Sequence, residues 1–186
     1  IRNISISLRT FSRGDTEHKI PFNIHEGIDS TILILRHRLK ANESHPEIKV
    51  IKNYGNLPLI NCYSGQLNQV FMNLLANAID SLEESNIDKS FEEIEENLNQ
   101  IEITTSLTED EKSILIKIAD NGLGISKDVQ QKIFDHLFTT KPVGKGTGLG
   151  LSIAREIIVD KHGGNLSFNS EIGQGTEFVI EIPMNC

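Results

Sequence analysis

The stretch GKGTGLGLSIAREII, Gly144–Ile158, decides how this chain is read. Glycine stands at 144, 146, 148 and 150, and a helical apolar rhythm follows at once, from Leu149 to His162. Alternating glycines leave the backbone free. The first turn of a helix offers unpaired N–H groups and the positive end of its dipole, which together suit an anion. Lys141 and Lys145 add positive charge nearby. The same pattern also describes a surface loop backed by a helix. It is not a P-loop, because no Gly-Lys-Ser/Thr stands at the required spacing. It does not follow a strand as G-x-G-x-x-G, which excludes the dinucleotide fingerprint.

Two further polar constellations lie upstream. GQLNQVFMNLLANAIDSL, residues 65–82, has Leu67, Val70, Phe71, Leu74, Leu75, Ala78, Ile79 and Leu82 on one broad face, which predicts a long amphipathic helix. Asn73, Asn77 and Asp80 run beside that face at i, i+4 and i+7. Asparagine is a poor residue for a helix interior. A carboxamide oxygen is a hard ligand suited to Mg²⁺; solvent-facing asparagines are the plain alternative. In ADNGLGIS, residues 119–126, Asp120 ends an apolar strand, and Gly122 and Gly124 let the chain turn close to a ligand. A carboxylate there accepts hydrogen bonds only and suits an exocyclic amine such as that of adenine. An Asp-Asn-Gly hairpin turn reads equally well from these residues alone.

The rest of the chain supplies a frame. Residues 1–13 read as a helix with a seam of Ile1, Ile4, Leu8 and Phe11, closed by Gly14. Asn23, with Glu26 three residues on, caps a helix that turns Ile28, Ile32, Leu35 and Leu39 inward. Strands are predicted over 48–55, 100–108 and 112–120, a helix over 126–133, a loop over 135–147 and a closing hairpin over 163–183. Mixed helices and antiparallel hairpins imply an α/β sandwich with the helices on one sheet face. Residues 82–97 hold seven acids and one lysine, with an apolar stripe of Ile87, Phe91, Ile94 and Leu98 that predicts a short docked helix.

Composition narrows the function. A net charge of −8 disfavours nucleic-acid binding through a general basic surface. No apolar run reaches the ~20 residues of a membrane span, so a cytoplasmic domain without membrane contact is expected. Cys62 and Cys186 have neither metal-ligand nor redox spacing and read as free thiols. The chain begins at Ile1 and reads as a piece of a longer protein.

Taken in order, NLLANAID, DNGLGI, IFDHLFTTK, GTGLGLSIAREII and GQGTEF resemble the motif set of the GHKL ATP-binding domain. More specifically, they resemble the catalytic domain of a sensor histidine kinase. The likeness covers roughly residues 20–183, and residues 1–15 match a remnant of the second dimerisation-bundle helix, leaving 16–186 as the ATP-binding domain with an acidic insertion at 83–99. It implies a two-layer α/β sandwich of the Bergerat type with a mixed, mostly antiparallel sheet. It implies Mg-ATP as cofactor, the chain's own dimerisation bundle in a homodimer, and a response regulator receiver domain as partner.

The resemblance also assigns roles. Asn77 would hold Mg²⁺, and Asn73 would assist with metal or phosphate. Asp120 would accept from the adenine amine, with Gly122, Gly124, Ile125 and Thr176 around the base. Phe134 and Phe138 would anchor a lid whose Thr139, Thr140, Lys141, Lys145, Gly146, Thr147, Gly148, Leu149, Gly150 and Leu151 approach the nucleotide, with Lys141 as a catalytic cation. Asp80 departs from the basic residue common at its position, and Lys141 or Lys145 is expected to neutralise it. His136 and Leu137 stand where proline and phenylalanine are usual.

None of His18, His25, His37, His45, His136 and His162 has the acid and proline that follow a phosphoacceptor histidine, so the acceptor is expected upstream of Ile1. Two rivals remain: a hydrolysing member of the superfamily, which would need an acid where Asn73 stands, and a non-catalytic nucleotide-sensing or docking module.

Overall fold

The computed structural model describes residues 18–43, 45–139 and 148–184. Along the chain run β1 (Ile20–Phe22), α1 (Ile24–Leu39), β2 (Lys49–Tyr54), β3 (Ile60–Cys62), α2 (Ser64–Ser85) and α3 (Phe91–Glu96). They are followed by β4 (Gln100–Leu107), β5 (Ser113–Asp120), α4 (Lys127–Gln130), α5 (Gly150–Glu156), β6 (Asn165–Glu171) and β7 (Gly175–Pro183). The predicted seam of Ile1, Ile4, Leu8 and Phe11 lies outside the described residues, as does Cys186.

Five strands form one sheet in the order β2-β4-β5-β7-β6, parallel between β2 and β4 and antiparallel elsewhere. Each central strand alternates. Ile101 and Ile103 of β4, Ile114, Ile116 and Ile118 of β5, and Phe178, Ile180 and Ile182 of β7 are all buried. Their neighbours are half-buried, as in a sheet packed on one face and wetted on the other. Helices α1, α2 and α5 cover the packed face and share one apolar core with it. This is the expected sandwich.

The longest helix, α2, buries Leu67, Val70, Phe71, Leu74, Leu75, Ala78, Ile79 and Leu82, the face predicted from spacing. Phe71 is fully enclosed, and truncating such a residue to alanine costs ~3–5 kcal/mol. Helix α1 starts at Asn23, whose Oδ1 accepts from the N–H groups of His25 (3.0 Å) and Glu26 (3.4 Å). Its last turn carries Arg36, His37 and Arg38, the sign that the C-terminal end of a helix dipole favours.

Several elements differ from expectation. The helix predicted over 126–133 shrinks to Lys127–Gln130, and the chain continues in tighter turns, with the Lys132 N–H on the Val129 carbonyl (2.9 Å) and the Asp135 N–H on the Lys132 carbonyl (2.9 Å). The helix predicted over 149–162 widens into a π-helical turn at Ile157–Lys161, where His162 Nδ1 bonds the Ile157 carbonyl (2.8 Å). The short strand β3 pairs antiparallel with β1; three residues are too few to show a period. Of the acidic stripe, only Ile94 is buried, while Ile87, Phe91 and Leu98 are exposed. A six-residue helix with a Ser90–Glu93 capping box presents one residue inward rather than a stripe.

Candidate functional site

A cavity of about 610 Å³ opens between α2, the ends of β5 and β7, and the start of α5. Alternation along the strands builds its floor. Ile114, Ile116 and Ile118 point toward the helices, so Asp120 points the same way at the strand's end. Thr176 stands opposite Asp120 in the β5–β7 register, on the same face as Phe178, Ile180 and Ile182. Both residues line the cavity.

Asp120 is buried to 9% exposure. Its Oδ1 accepts from the Gly122 N–H (2.9 Å) and the Ser81 hydroxyl (3.1 Å). Burial pushes the carboxyl up to about 6, against these hydrogen bonds, which pull the other way. Gly122 is required by space, since a Cβ there would overlap Ser81 Oγ and crowd Asp120 Oδ1. Gly175 combines a φ of +103° with a carbonyl of Asp120 lying where a Cβ would go. Glycines of both motifs therefore make room around Asp120, Gly122 at its carboxylate and Gly175 at its backbone carbonyl. The Ser170 hydroxyl joins the floor by bonding Thr176 Oγ1 (2.8 Å) and accepting from the Ile125 N–H (2.8 Å).

The α2 wall contributes Asn73, Asn77, Asp80, Ser81 and Glu84. Asn73 Nδ2 donates to the Gly150 carbonyl (2.9 Å), tying α2 to the first residue of α5. Ser81 was missed in the sequence, although 73, 77 and 81 keep a spacing of four and so share a helical face.

Lys141 and Lys145, expected to neutralise Asp80, lie outside the described residues. Among those described, Asp80 pairs with Arg38 of α1. Its Nη2 donates to Asp80 Oδ1 (2.6 Å) and Glu83 Oε2 (2.7 Å), and its Nε to Glu83 Oε1 (3.3 Å). Burial opposes the charge on Arg38, but the bonds to Glu83 and Asp80 outweigh it and raise the guanidinium pKa. No spacing in the sequence links residues 38 and 80.

Gly124, Ile125, Phe138, Thr139, Gly148, Gly150 and Leu151 all reach the cavity. Leu149 sits between Gly148 and Gly150 as the residue preceding α5, and the helix start has no side-chain cap. Phe134 packs edge-on against Phe168, with ring centroids 5.8 Å apart. Leu137, standing where phenylalanine is usual, is exposed, has a φ of +64°, and meets Gly148 backbone to backbone. Thr140, Gly146 and Thr147 fall, with the two lysines, outside the described residues.

Three of the six histidines are held by their surroundings. His162 is buried, with Nδ1 on the Ile157 carbonyl and Nε2 accepting from the Tyr63 N–H (3.2 Å). His45 is likewise held at both nitrogens, by Pro46 O (2.7 Å) and Asn42 Nδ2 (3.0 Å). His25 stacks on Tyr54 and bonds Thr105 Oγ1 (2.8 Å). A larger concavity of about 830 Å³ lies between α1 and β2 but contains none of the motif residues.

Comparison with known proteins agrees with this geometry. Residues 63–185 match the family model described as histidine kinase-, DNA gyrase B-, and HSP90-like ATPase. The chain belongs to this ATPase family. The catalytic domain of the histidine kinase ThkA superposes with a TM-score of 0.68 at 27% identity, over 90% of this chain and 96% of that one. The sensor protein TdiS of Thauera aromatica is 30% identical across 91% of this chain and 28% of its own length. The sensor histidine kinase ZraS of Escherichia coli K12 is 31% identical across 78% of this chain and 27% of its own. The chain thus spans little more than a quarter of either curated relative. It is an ATP-binding domain of the histidine kinase type. No helix among the described residues is long and apolar enough to cross a membrane.

Proposed function

We propose that the cavity holds Mg-ATP and that the chain serves as the phosphoryl-donating part of a sensor histidine kinase. The observation that carries this reading is the buried Asp120–Thr176 pair at one end of a cavity whose other wall bears Asn73 and Asn77. The volume suits a nucleotide-sized ligand. Among the described residues, no group of three or more His, Cys, Asp or Glu side chains could hold a metal. A cation here would therefore take most of its shell from phosphates and water, as Mg²⁺ commonly does.

When bound, Mg-ATP supplies a γ-phosphoryl group for transfer to a histidine nitrogen, with ADP leaving. The chain's residues bind and orient. Asp120 accepts from the adenine amine, with Gly122, Gly124, Ile125 and Thr176 around the base. Asn77 offers its carboxamide oxygen to Mg²⁺. Asn73 holds Gly150 against α2 and so fixes the start of α5 beside the phosphates. Phe138 and Thr139 line the cavity, and by the motif resemblance Lys141 and Lys145 would supply positive charge to the phosphates. Asn73 cannot act as a base toward water, which favours transfer over hydrolysis. Such catalysis rests on positioning and charge neutralisation.

The acceptor histidine, the homodimer and a response regulator receiver belong to this proposal as partners. The test is transfer in trans. The chain is incubated with γ-labelled Mg-ATP, with and without a dimerisation bundle of the histidine kinase type. Acid-labile label is expected on the bundle and none on the chain alone. Steady hydrolysis without any acceptor would put the ATPase reading in its place.

A further inference from the structure

Two carboxylates, Asp80 and Glu84, stand on the wall of a cavity that, on the nucleotide reading above, must also receive a polyphosphate. Like charges repel at this range even with partial screening. The motif resemblance offers no remedy, because it places a cation where Asp80 stands. The compensating charge comes from a helix that contributes nothing to the cavity lining. Arg38 lies in the last turn of α1 and reaches across to α2, where a single nitrogen, Nη2, bonds both Asp80 and Glu83.

We infer that Arg38 is a positioning residue for the nucleotide, acting through Asp80. By clamping Asp80 toward Glu83, it offsets that acid's repulsion toward a polyphosphate bound in the cavity. It also fixes α1 against the helix that carries Asn73 and Asn77. The geometry needs the guanidinium fork. Three donated hydrogen bonds go to two carboxylates, one of them from Nε, which the single nitrogen of lysine cannot reproduce. Arg38 and Asp80 remain about a quarter exposed, at 26% and 25% of their side chains. A pair so placed adds little to stability. Its effect lies in the field it presents to a charged ligand.

This inference rests on the nucleotide reading and is tested by a ligand series that separates the two. Adenosine, ADP and ATP are titrated at fixed Mg²⁺ into the native chain, Arg38→Ala, Arg38→Lys and the double variant Arg38→Ala/Asp80→Asn. Arg38→Ala is expected to weaken ATP about ten-fold, ADP less, and adenosine hardly at all. Raising the salt should shrink the loss. The double variant should recover most of the ATP affinity, because the carboxylate charge on the cavity wall is gone, and Arg38→Lys should fall between. Equal losses for all three ligands would reduce Arg38 to a structural tie and overturn the inference. So would an unchanged ATP affinity, or a double variant as weak as Arg38→Ala. A native chain that binds no adenine nucleotide would instead remove the reading on which the inference stands.

Discussion

Asp120 and Thr176 face each other across the β5–β7 ladder, on the strand face that otherwise carries only core residues. The sheet's own alternation delivers a carboxylate into a low-dielectric pocket, and the Gly122 N–H and Ser81 hydroxyl fix one of its oxygens. An acceptor so placed discriminates between bases. Adenine offers an amine where guanine offers an oxygen, and two buried acceptors face to face forfeit ~1–3 kcal/mol. ATP should bind at least ten-fold more tightly than GTP, and Asp120→Ala should erase the preference. Equal affinities of the native chain for the two nucleotides, measured by calorimetry, would remove Asp120 from the base site.

The same carboxyl makes binding and stability respond to pH in opposite directions. Its pKa in the fold is about 6, raised by burial above the ordinary carboxylate value of 3.8. If Asp120 accepts from the base as proposed, binding needs its ionised form, so ATP affinity should fall as pH drops through 6 and level off above 7. Folding prefers the neutral form. Because the native state holds this proton more tightly than the unfolded chain, the group's contribution to stability is full below the unfolded pKa and is lost as pH rises through the folded one. Asp120→Asn keeps an oxygen for Gly122 and Ser81 but carries no charge. At pH 8 it should melt higher than the native chain while binding ATP poorly. A variant that melts lower there would show that the charge is no burden to the fold.

How much of this was legible before folding depended on whether a local rule sufficed. The face of α2 could be read because eight apolar residues keep helical spacing, and Asn23 could be read as a cap from its distance to Glu26. Asp120 and Thr176 could be paired only through motif resemblance, since 56 residues of chain separate them. Arg38 could not be found at all. Its partners lie on another helix, and a basic residue in the last turn of a helix already has a sufficient local explanation in the dipole. Ser81 and Ser170 were overlooked for a related reason. Isolated serines carry no periodic signal, and their role as hydrogen-bond relays exists only once α2 has met β5 and β6 has met β7.

The asparagine stripe predicts a dependence on metal. If the Asn77 oxygen ligates Mg²⁺, Asn77→Ala should weaken Mg-ATP by about ten-fold or more while changing metal-free ADP much less. Asn73→Ala should behave differently. It breaks the bond to Gly150, so it should weaken nucleotide binding with and without metal. Parallel losses for both variants in both conditions would mean that neither oxygen is a ligand.

The acidic insertion divides at a definite point. Its first residues are the last turn of α2, where Glu83 holds Arg38 and Glu84 borders the cavity. Its final residues are also engaged: the Leu98 carbonyl accepts from Asn121 Nδ2 (3.0 Å), and Asn99 is buried. Between them, residues 86–97 bury only Ile94 among their hydrophobic side chains and contribute nothing to the cavity lining. Replacing 86–97 with a Gly/Ser linker should therefore cost some stability, on the order of one truncated core residue, ~2–4 kcal/mol. It should leave ATP affinity within about three-fold, under ~1 kcal/mol. A separate Glu83→Gln replacement, which keeps Glu84 on the cavity wall, should do more, because it weakens the two hydrogen bonds from Arg38 to that acid and loosens the clamp on Asp80. Calorimetry with the two replacements side by side separates these effects. Equal ATP affinities would show that Glu83 has no part in the nucleotide site, while a complete loss with the shorter replacement, in a chain that still melts cooperatively, would show that α3 shapes the pocket.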